Sequence, residues 1–189
     1  ITWNPKFAMK ASMLGAVDNP NLLFYTSNSN YAPSSISNVV VNGSATKIVL
    51  QDVVSGNGNF YCPTAFTAKT ISYTHHYSMK SGYGGVQGWE TITLPFDVKK
   101  ITHSQKGEIV PFAKYDSGNS SQRPFWLYSY GSSGFTRASS IVANSPYLIC
   151  MPNNDEYDDE YRLAGDVTFC AENAKVVVSS NLIEKVNGN

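Results

Sequence analysis

Apolar and polar side chains alternate along several segments of this chain, a pattern typical of half-buried antiparallel β-strands. In segment 70–79 the odd positions carry apolar or aromatic residues and the even positions carry polar ones. Segment 91–98 alternates in the opposite phase, with apolar residues at even positions. Proline has no backbone N–H to donate to a ladder, so Pro95 places this second strand at a sheet edge or at a bulge.

Other strand candidates are short, and turn-rich segments separate them. Asn42-Gly43 is a typical two-residue hairpin turn, and the segment 131–134 has the composition of a hairpin loop. Many short strands without helical patterns between them predict an all-β protein, either an antiparallel sandwich or a barrel, and we favour a jelly-roll-like antiparallel β-sandwich. The remaining strand candidates are 39–41, 46–54, 108–115, 124–130, 140–151, 163–170 and 175–178.

The first 33 residues follow a different pattern. A short strand is followed by a helix that begins at Asn4-Pro5 and ends at Gly15, and a turn then leads into the apolar run 22–25. This order matches one short α/β unit of a leucine-rich-repeat solenoid, which must stack on another surface to bury its apolar face. We therefore expect a capping unit at 1–33 and a β-sandwich domain at 34–189.

Composition supports a folded β protein and limits its partners. Hydrophobic residues make up 42% of the 189 residues and aromatic residues 13%, while the formal net charge is zero. No basic stripe is interleaved with aromatic residues, so nucleic acid is not an expected partner. No apolar run reaches the roughly 20 residues that a membrane-spanning helix needs. The chain starts at Ile1 without a signal peptide, so we interpret it as a piece of a longer protein.

The three cysteines do not form a disulfide framework or a zinc motif. Cys150 and Cys170 fall in predicted strands and can pair if those strands are neighbours. The alternative is that Cys62, Cys150 and Cys170 are small buried side chains that stay reduced.

Motifs for catalysis are absent from the sequence, and we expect no enzyme. His75 and His76 are adjacent in a predicted strand, so their side chains point to opposite faces and cannot hold one metal together. His75 is interpreted as a packed, hydrogen-bonded core histidine rather than a ligand, and His103 as a surface residue of a turn. The spacing of the nucleophile elbow, G-x-S-x-G, occurs nowhere in the chain.

The best candidate for binding is the aromatic run at 125–130. In a strand, Trp126, Tyr128 and Tyr130 line one face, and Phe125 and Leu127 line the other. A row of aromatic rings can stack on sugar rings, because the ring faces bury apolar C–H surface. The alternative is that this face belongs to the core.

An acidic cluster at 155–160 is the densest charge in the chain. Its carboxylates Asp155, Asp158 and Asp159 could hold a calcium ion, the one candidate cofactor, although the spacing of an EF-hand is absent. The alternative is a solvated acidic loop.

Several segments together resemble BspA-like leucine-rich-repeat surface proteins of anaerobic gut bacteria. The run Asn-Pro-Asn-Leu-Leu-Phe-Tyr at 19–25 is similar to their last repeat. Four later segments resemble the β domain that follows such repeats. One of them contains the motif Trp-x-Thr-x-x-Leu-Pro-Phe, which begins at Trp89. These segments are 38–43, 66–74, 88–96 and 141–149.

The resemblance implies an extracytoplasmic protein, secreted or anchored at the cell surface through an upstream region. It implies a non-catalytic module for adhesion, display or protein interaction, whose partner is a host or bacterial surface protein or a glycan. It assigns no catalytic or binding residue. The residues themselves suggest the alternative of a carbohydrate-binding module that uses the aromatic strand face.

Overall fold

A computed structural model describes Thr2, Lys10 and the ranges 19–31, 35–52, 60–81 and 87–178. These residues form eleven β-strands and three short 3-10 helices, and no α-helix is present among them. The all-β prediction is therefore confirmed for this part of the chain. The strands are β1 (Phe24–Thr26), β2 (Val39–Val41), β3 (Ser44–Gln51), β4 (Phe66–Tyr77), β5 (Glu90–Ile92), β6 (Lys100–His103), β7 (Gly107–Pro111), β8 (Arg123–Gly131), β9 (Gly134–Arg137), β10 (Tyr147–Cys150) and β11 (Gly165–Val176).

The chain divides into two compact units, and the division falls inside two strands. Unit 1 comprises Ile1–Tyr73 and Ala171–Asn189, and unit 2 comprises Thr74–Cys170. In unit 1 the strand order is β1-β2-β3-β4. In unit 2 the order is β11-β6-β7-β8-β10-β5, and β9 pairs with β8. Strands β4 and β11 contribute to both units.

Unit 1 begins with a parallel pair of strands and continues with a hairpin. Strand β1 lies parallel to β2, with Phe24 opposite Val39. The β2–β3 hairpin closes through Asn42 and Gly43, whose φ angles are 49° and 78°. Positive φ at both central residues defines a type I′ turn, whose twist matches that of the flanking strands. The turn predicted from the sequence is confirmed.

Two buried asparagines form hydrogen bonds that link the segments before β1 and β2 to strand β3. The Asn21 side chain donates to the carbonyl of Gln51 and accepts from its amide. The Asn38 side chain forms the same kind of two-way bond with Val49 and also donates to the carbonyl of Pro20. These bonds satisfy backbone groups that have no strand partner at this point, and buried polar groups of this kind are costly when left unpaired.

In unit 2, strand β8 has a neighbour on each side. Its first residues pair with β7 in parallel, while β10 and β9 both pair with it in antiparallel fashion. Phe125 and Leu127 are buried, whereas Trp126 and Tyr128 stay partly exposed. The sequence prediction of two chemically different faces is confirmed. The other largest buried side chains of unit 2 are Phe96, Phe169, Ile109, Ile141, Ile149 and Leu163.

The described strands are not all antiparallel, in contrast to the sequence prediction. The pairs β1–β2 and β7–β8 are parallel. Between β7 and β8 the chain forms a 3-10 turn at Phe112–Lys114 and a loop before re-entering in the same direction. A connection of this length allows parallel pairing, which a two-residue turn does not.

Two strands in unit 2 were absent from the sequence prediction, and a third is much shorter than predicted. Strands β6 and β9 are short, and neither carries a long alternation. Strand β5 ends at Ile92, before Pro95, and stands last in the strand order beside β10. The strand predicted at 91–98 is therefore wrong beyond Ile92, and Pro95 lies outside it, while the expected edge position is confirmed within the described residues.

Some predictions concern residues outside the described ranges. The helix expected from Asn4 to Gly15 and the boundary expected between residues 33 and 34 both lie there. Within the described part of the chain, no helix has the length and apolar character to cross a membrane.

Candidate functional site

The outer side of strand β8 carries the aromatic residues singled out from the sequence. Trp126 and Tyr128 are half-buried, and Tyr130 is 73% exposed. Their position follows from strand geometry, since Phe125 and Leu127 point the opposite way into the core. The structure brings all three predicted residues onto one accessible surface.

Further rings from separate loops pack against Trp126 and Tyr128. The Trp89 ring centroid lies 5.6 Å from that of Tyr128 and 6.4 Å from that of Trp126. Phe112 and Tyr157 approach Trp126 to 5.3 Å and 6.0 Å. Offset and edge-to-face contacts at these distances are favourable and hold the rings in place.

The row of rings continues to the tip of the β8–β9 hairpin. Tyr130 pairs across the hairpin with Phe135, and their ring centroids are 5.0 Å apart. Phe135 is 57% exposed. Tyr130 lies four residue steps along the strand from Trp126, so the row extends for about 13 Å along β8. We call the set Trp89, Phe112, Trp126, Tyr128, Tyr130, Phe135 and Tyr157 the aromatic face.

One arginine lies on the aromatic face. Arg137 of β9 stands directly opposite Tyr128 of β8. Directly opposed residues of an antiparallel pair project from the same face of the sheet. The Arg137 Nε donates to the Tyr128 hydroxyl oxygen at 3.4 Å, and both groups are accessible to solvent.

A buried thiol lies beneath the aromatic face. Cys150 is the cross-strand partner of Trp126 and is 1% exposed. Burial raises the pKa of the Cys150 thiol to about 11, and the nearby negative charge of Glu90 adds to this shift. The thiol is therefore protonated near neutral pH and is a poor nucleophile.

The cysteines form no disulfide bond. Strand β10 carries Cys150 and β11 carries Cys170, and three strands stand between these two in the order of unit 2. The condition for pairing, that the two strands be neighbours, is not met.

The acidic segment forms ion pairs with several cations of unit 2. Asp155 lies 3.3 Å from Lys80 and 3.4 Å from Arg162, and Asp159 lies 3.4 Å from Lys106. The predicted ligands Asp155, Asp158 and Asp159 are exposed. In the described part of the chain no group of three or more His, Cys, Asp or Glu side chains is placed to hold a metal ion.

The adjacent histidines of β4 each contact a different carboxylate. His75 Nε2 lies 2.7 Å from Glu90, and His76 Nδ1 lies 2.6 Å from Asp166. His75 is half-buried and His76 is exposed, as expected for neighbours in a strand. The hydrogen bond expected of His75 is confirmed, but its side chain is half-buried rather than part of the core.

The interpretation of His103 as a surface residue is wrong. Its side chain is only 3% exposed, because it ends strand β6 and fills the turn that follows. The Nε2 atom lies 2.8 Å from the Ala164 carbonyl oxygen, and Nδ1 accepts from the amides of Gln105 and Lys106. These partners require a neutral ring that carries its proton on Nε2.

Sequence reasoning found the β8 residues of the aromatic face but missed the rings that surround them. Trp89, Phe112 and Tyr157 come from three separate segments, and no local pattern places them beside β8. Phe135 was missed as well, although the hairpin composition of 131–134 is a signal that the chain returns beside Tyr130.

Comparison with known proteins adds no further assignment. The chain matches no protein-family model, no curated protein and no solved structure.

Proposed function

We propose that this chain is a non-catalytic module of an exported bacterial surface protein, that it serves adhesion, and that its aromatic face binds glycans. The observation that carries the proposal is the accessible row of rings along β8, from Trp126 to Tyr130. The core side of the same strand is filled by Phe125 and Leu127, whereas Tyr130, at the end of the row, is 73% exposed.

Aromatic rings that are held rigidly and remain accessible suit sugar binding. The faces of pyranose rings are lined with C–H groups, and an aromatic ring covers them without displacing the hydroxyl groups at the rim from their partners. Trp126 and Tyr128 are fixed by the neighbouring rings of Trp89 and Phe112, so little side-chain entropy is lost on binding. The length of the row, about 13 Å, suits a chain of several sugars rather than one.

Support for an exported surface protein comes from the sequence resemblance to BspA-like proteins. Two parallel contacts agree with a repeat-like start of the chain: β1 lies parallel to β2, and Thr2 forms a parallel bridge with Tyr25. Parallel strands in successive units are a feature of leucine-rich-repeat solenoids. A β-sandwich for the remainder of the chain is part of this proposal, supported by strand β8, where the buried Phe125 and Leu127 alternate with the half-buried Trp126 and Tyr128.

The test is a glycan array probed with the wild-type protein and with Trp126→Ala. We expect the wild type to bind a defined set of glycans and Trp126→Ala to lose about tenfold or more in affinity, since stacking and buried apolar area are lost together. Tyr61→Ala is the matched control, because Tyr61 is an exposed aromatic residue of unit 1. Its binding should equal that of the wild type.

Thermal melting of each variant shows whether it is folded. The proposal fails if the folded wild type binds no glycan on the array. It fails equally if Trp126→Ala and Tyr61→Ala have the same effect.

A further inference from the structure

We infer that the glycan bound by the aromatic face carries a carboxylate, as in uronic or sialic acids, and that Arg137 recognises it. This inference rests on the proposed function and names the class of its ligand. Arg137 projects from the same face as Tyr128 and Phe135, and its guanidinium group is hydrogen-bonded to the Tyr128 hydroxyl.

Arg137 differs from the other arginines of unit 2 in its electrostatic surroundings. Arg123 lies 3.1 Å from Glu160, and Arg162 lies 3.4 Å from Asp155. No carboxylate of the described residues lies within ion-pair distance of Arg137. Its one described side-chain partner is the neutral phenol of Tyr128, at 3.4 Å, so the remaining N–H donors can turn toward a ligand.

The charge along the aromatic face is unequal between its two ends. The Tyr157 end belongs to the acidic segment, where Glu156 and Asp158 are exposed. The hairpin end carries Arg137 beside Tyr128, Tyr130 and Phe135. A sugar carboxylate is therefore favoured at the hairpin end and repelled at the other, which sets the direction of an acidic chain along β8.

The chemistry of this pairing gives selectivity as well as affinity. A guanidinium group can donate two parallel hydrogen bonds to one carboxylate, and neutral hydroxyl groups do not match that geometry and charge. The stacked rings contribute equally to acidic and neutral sugars, so the difference between them measures the contribution of Arg137. For an accessible charge-assisted contact we expect a difference of about tenfold in Kd.

The experiment uses an array of uronate-containing and sialylated glycans, each printed beside its carboxyl-reduced, neutral counterpart. The full chain is compared with Arg137→Gln, which removes the charge and keeps a polar side chain. Lys175→Gln removes one positive charge from unit 1 and serves as the matched control. The best acidic ligand is then titrated calorimetrically at low and high salt.

Wild type and Lys175→Gln should prefer an acidic glycan over its reduced counterpart by about tenfold, and the preference should shrink as salt rises. Arg137→Gln should bind both members of the pair alike, with affinity for the neutral member unchanged. Equal binding of both members by the wild type overturns this inference and leaves glycan binding intact. Equal loss of both members in a folded Arg137→Gln overturns it as well. Absence of binding to any glycan, neutral or acidic, overturns the proposed function itself.

Discussion

At the residue scale, Asn38 adopts a left-handed backbone conformation and also forms three side-chain hydrogen bonds. Its φ of 64° lies in the left-handed region, where asparagine is tolerated better than most residues. Its side chain donates to the Pro20 and Val49 carbonyls at 2.8 Å and 3.0 Å and accepts from the Val49 amide at 2.7 Å. These bonds tie the segment before β1 to strand β3.

We expect Asn38→Ala to lower the free energy of unfolding by about 2–4 kcal/mol. The substitution leaves buried backbone groups unpaired. It also places alanine, whose side chain forms no hydrogen bond, at a positive φ. Asn38→Gly keeps the backbone conformation accessible and removes only the side-chain bonds. It should therefore lie between the wild type and Asn38→Ala in urea denaturation. A glycine variant as stable as the wild type would show that the three bonds contribute nothing.

At the scale of the element, β11 contains a shift in its side-chain alternation. Val167, Phe169 and Ala171 are buried at odd positions, and Ala174 is buried at an even one. Glu172 and Asn173 are both exposed, and Asn173 has a φ of 48°. One extra residue in the left-handed conformation is the geometry of a β-bulge, which returns the apolar positions to the core side.

The bulge predicts opposite effects of two substitutions in the same strand. Asn173→Val should lower the free energy of unfolding by about 1–2 kcal/mol, since a β-branched side chain is disfavoured at positive φ. Lys175→Val introduces the same side chain at an exposed position of β11 whose φ is not positive, so it should change stability by only a few tenths of a kcal/mol. The measurement is the midpoint of chemical denaturation. Equal effects of the two substitutions would exclude a bulge at Asn173.

At the scale of the whole molecule, the two units share the strands β4 and β11. The division falls between Tyr73 and Thr74 and between Cys170 and Ala171, and each of these pairs lies inside a strand. Linkers between independent domains are usually exposed and irregular, whereas both places where the chain passes between these units lie inside β-strands. We therefore expect the described units to unfold together.

The test uses one leucine from each unit. Leu23 in unit 1 and Leu163 in unit 2 are 1% and 0% exposed, and each change to alanine should cost about 2–5 kcal/mol through lost burial and the cavity left behind. Calorimetry should show a single transition in the wild type, and both variants should shift that whole transition to lower temperature. Two transitions, with each variant moving a different one, would mean that the units are independent.

The sequence by itself determined the features that depend on neighbouring residues. Alternation put Leu127 and Trp126 on opposite faces of β8, because successive side chains of a strand point in opposite directions, but it left open which face lies in the core. The Asn42-Gly43 turn followed from the preference of these residues for positive φ.

Only the tertiary structure decided which distant segments meet. His103 has the sequence context of a surface turn, yet it is buried because its ring bonds to the Ala164 carbonyl, contributed by a segment far along the chain. Trp89 and Tyr157 join Trp126 in the same way, through strand pairing and loop packing. Strand pairing depends on the hydrogen bonds and apolar burial available over the whole chain, so no local window of sequence contains it. For this reason the sequence placed three rings on one face of β8, and only the tertiary structure decided that this face is accessible and which other rings surround it.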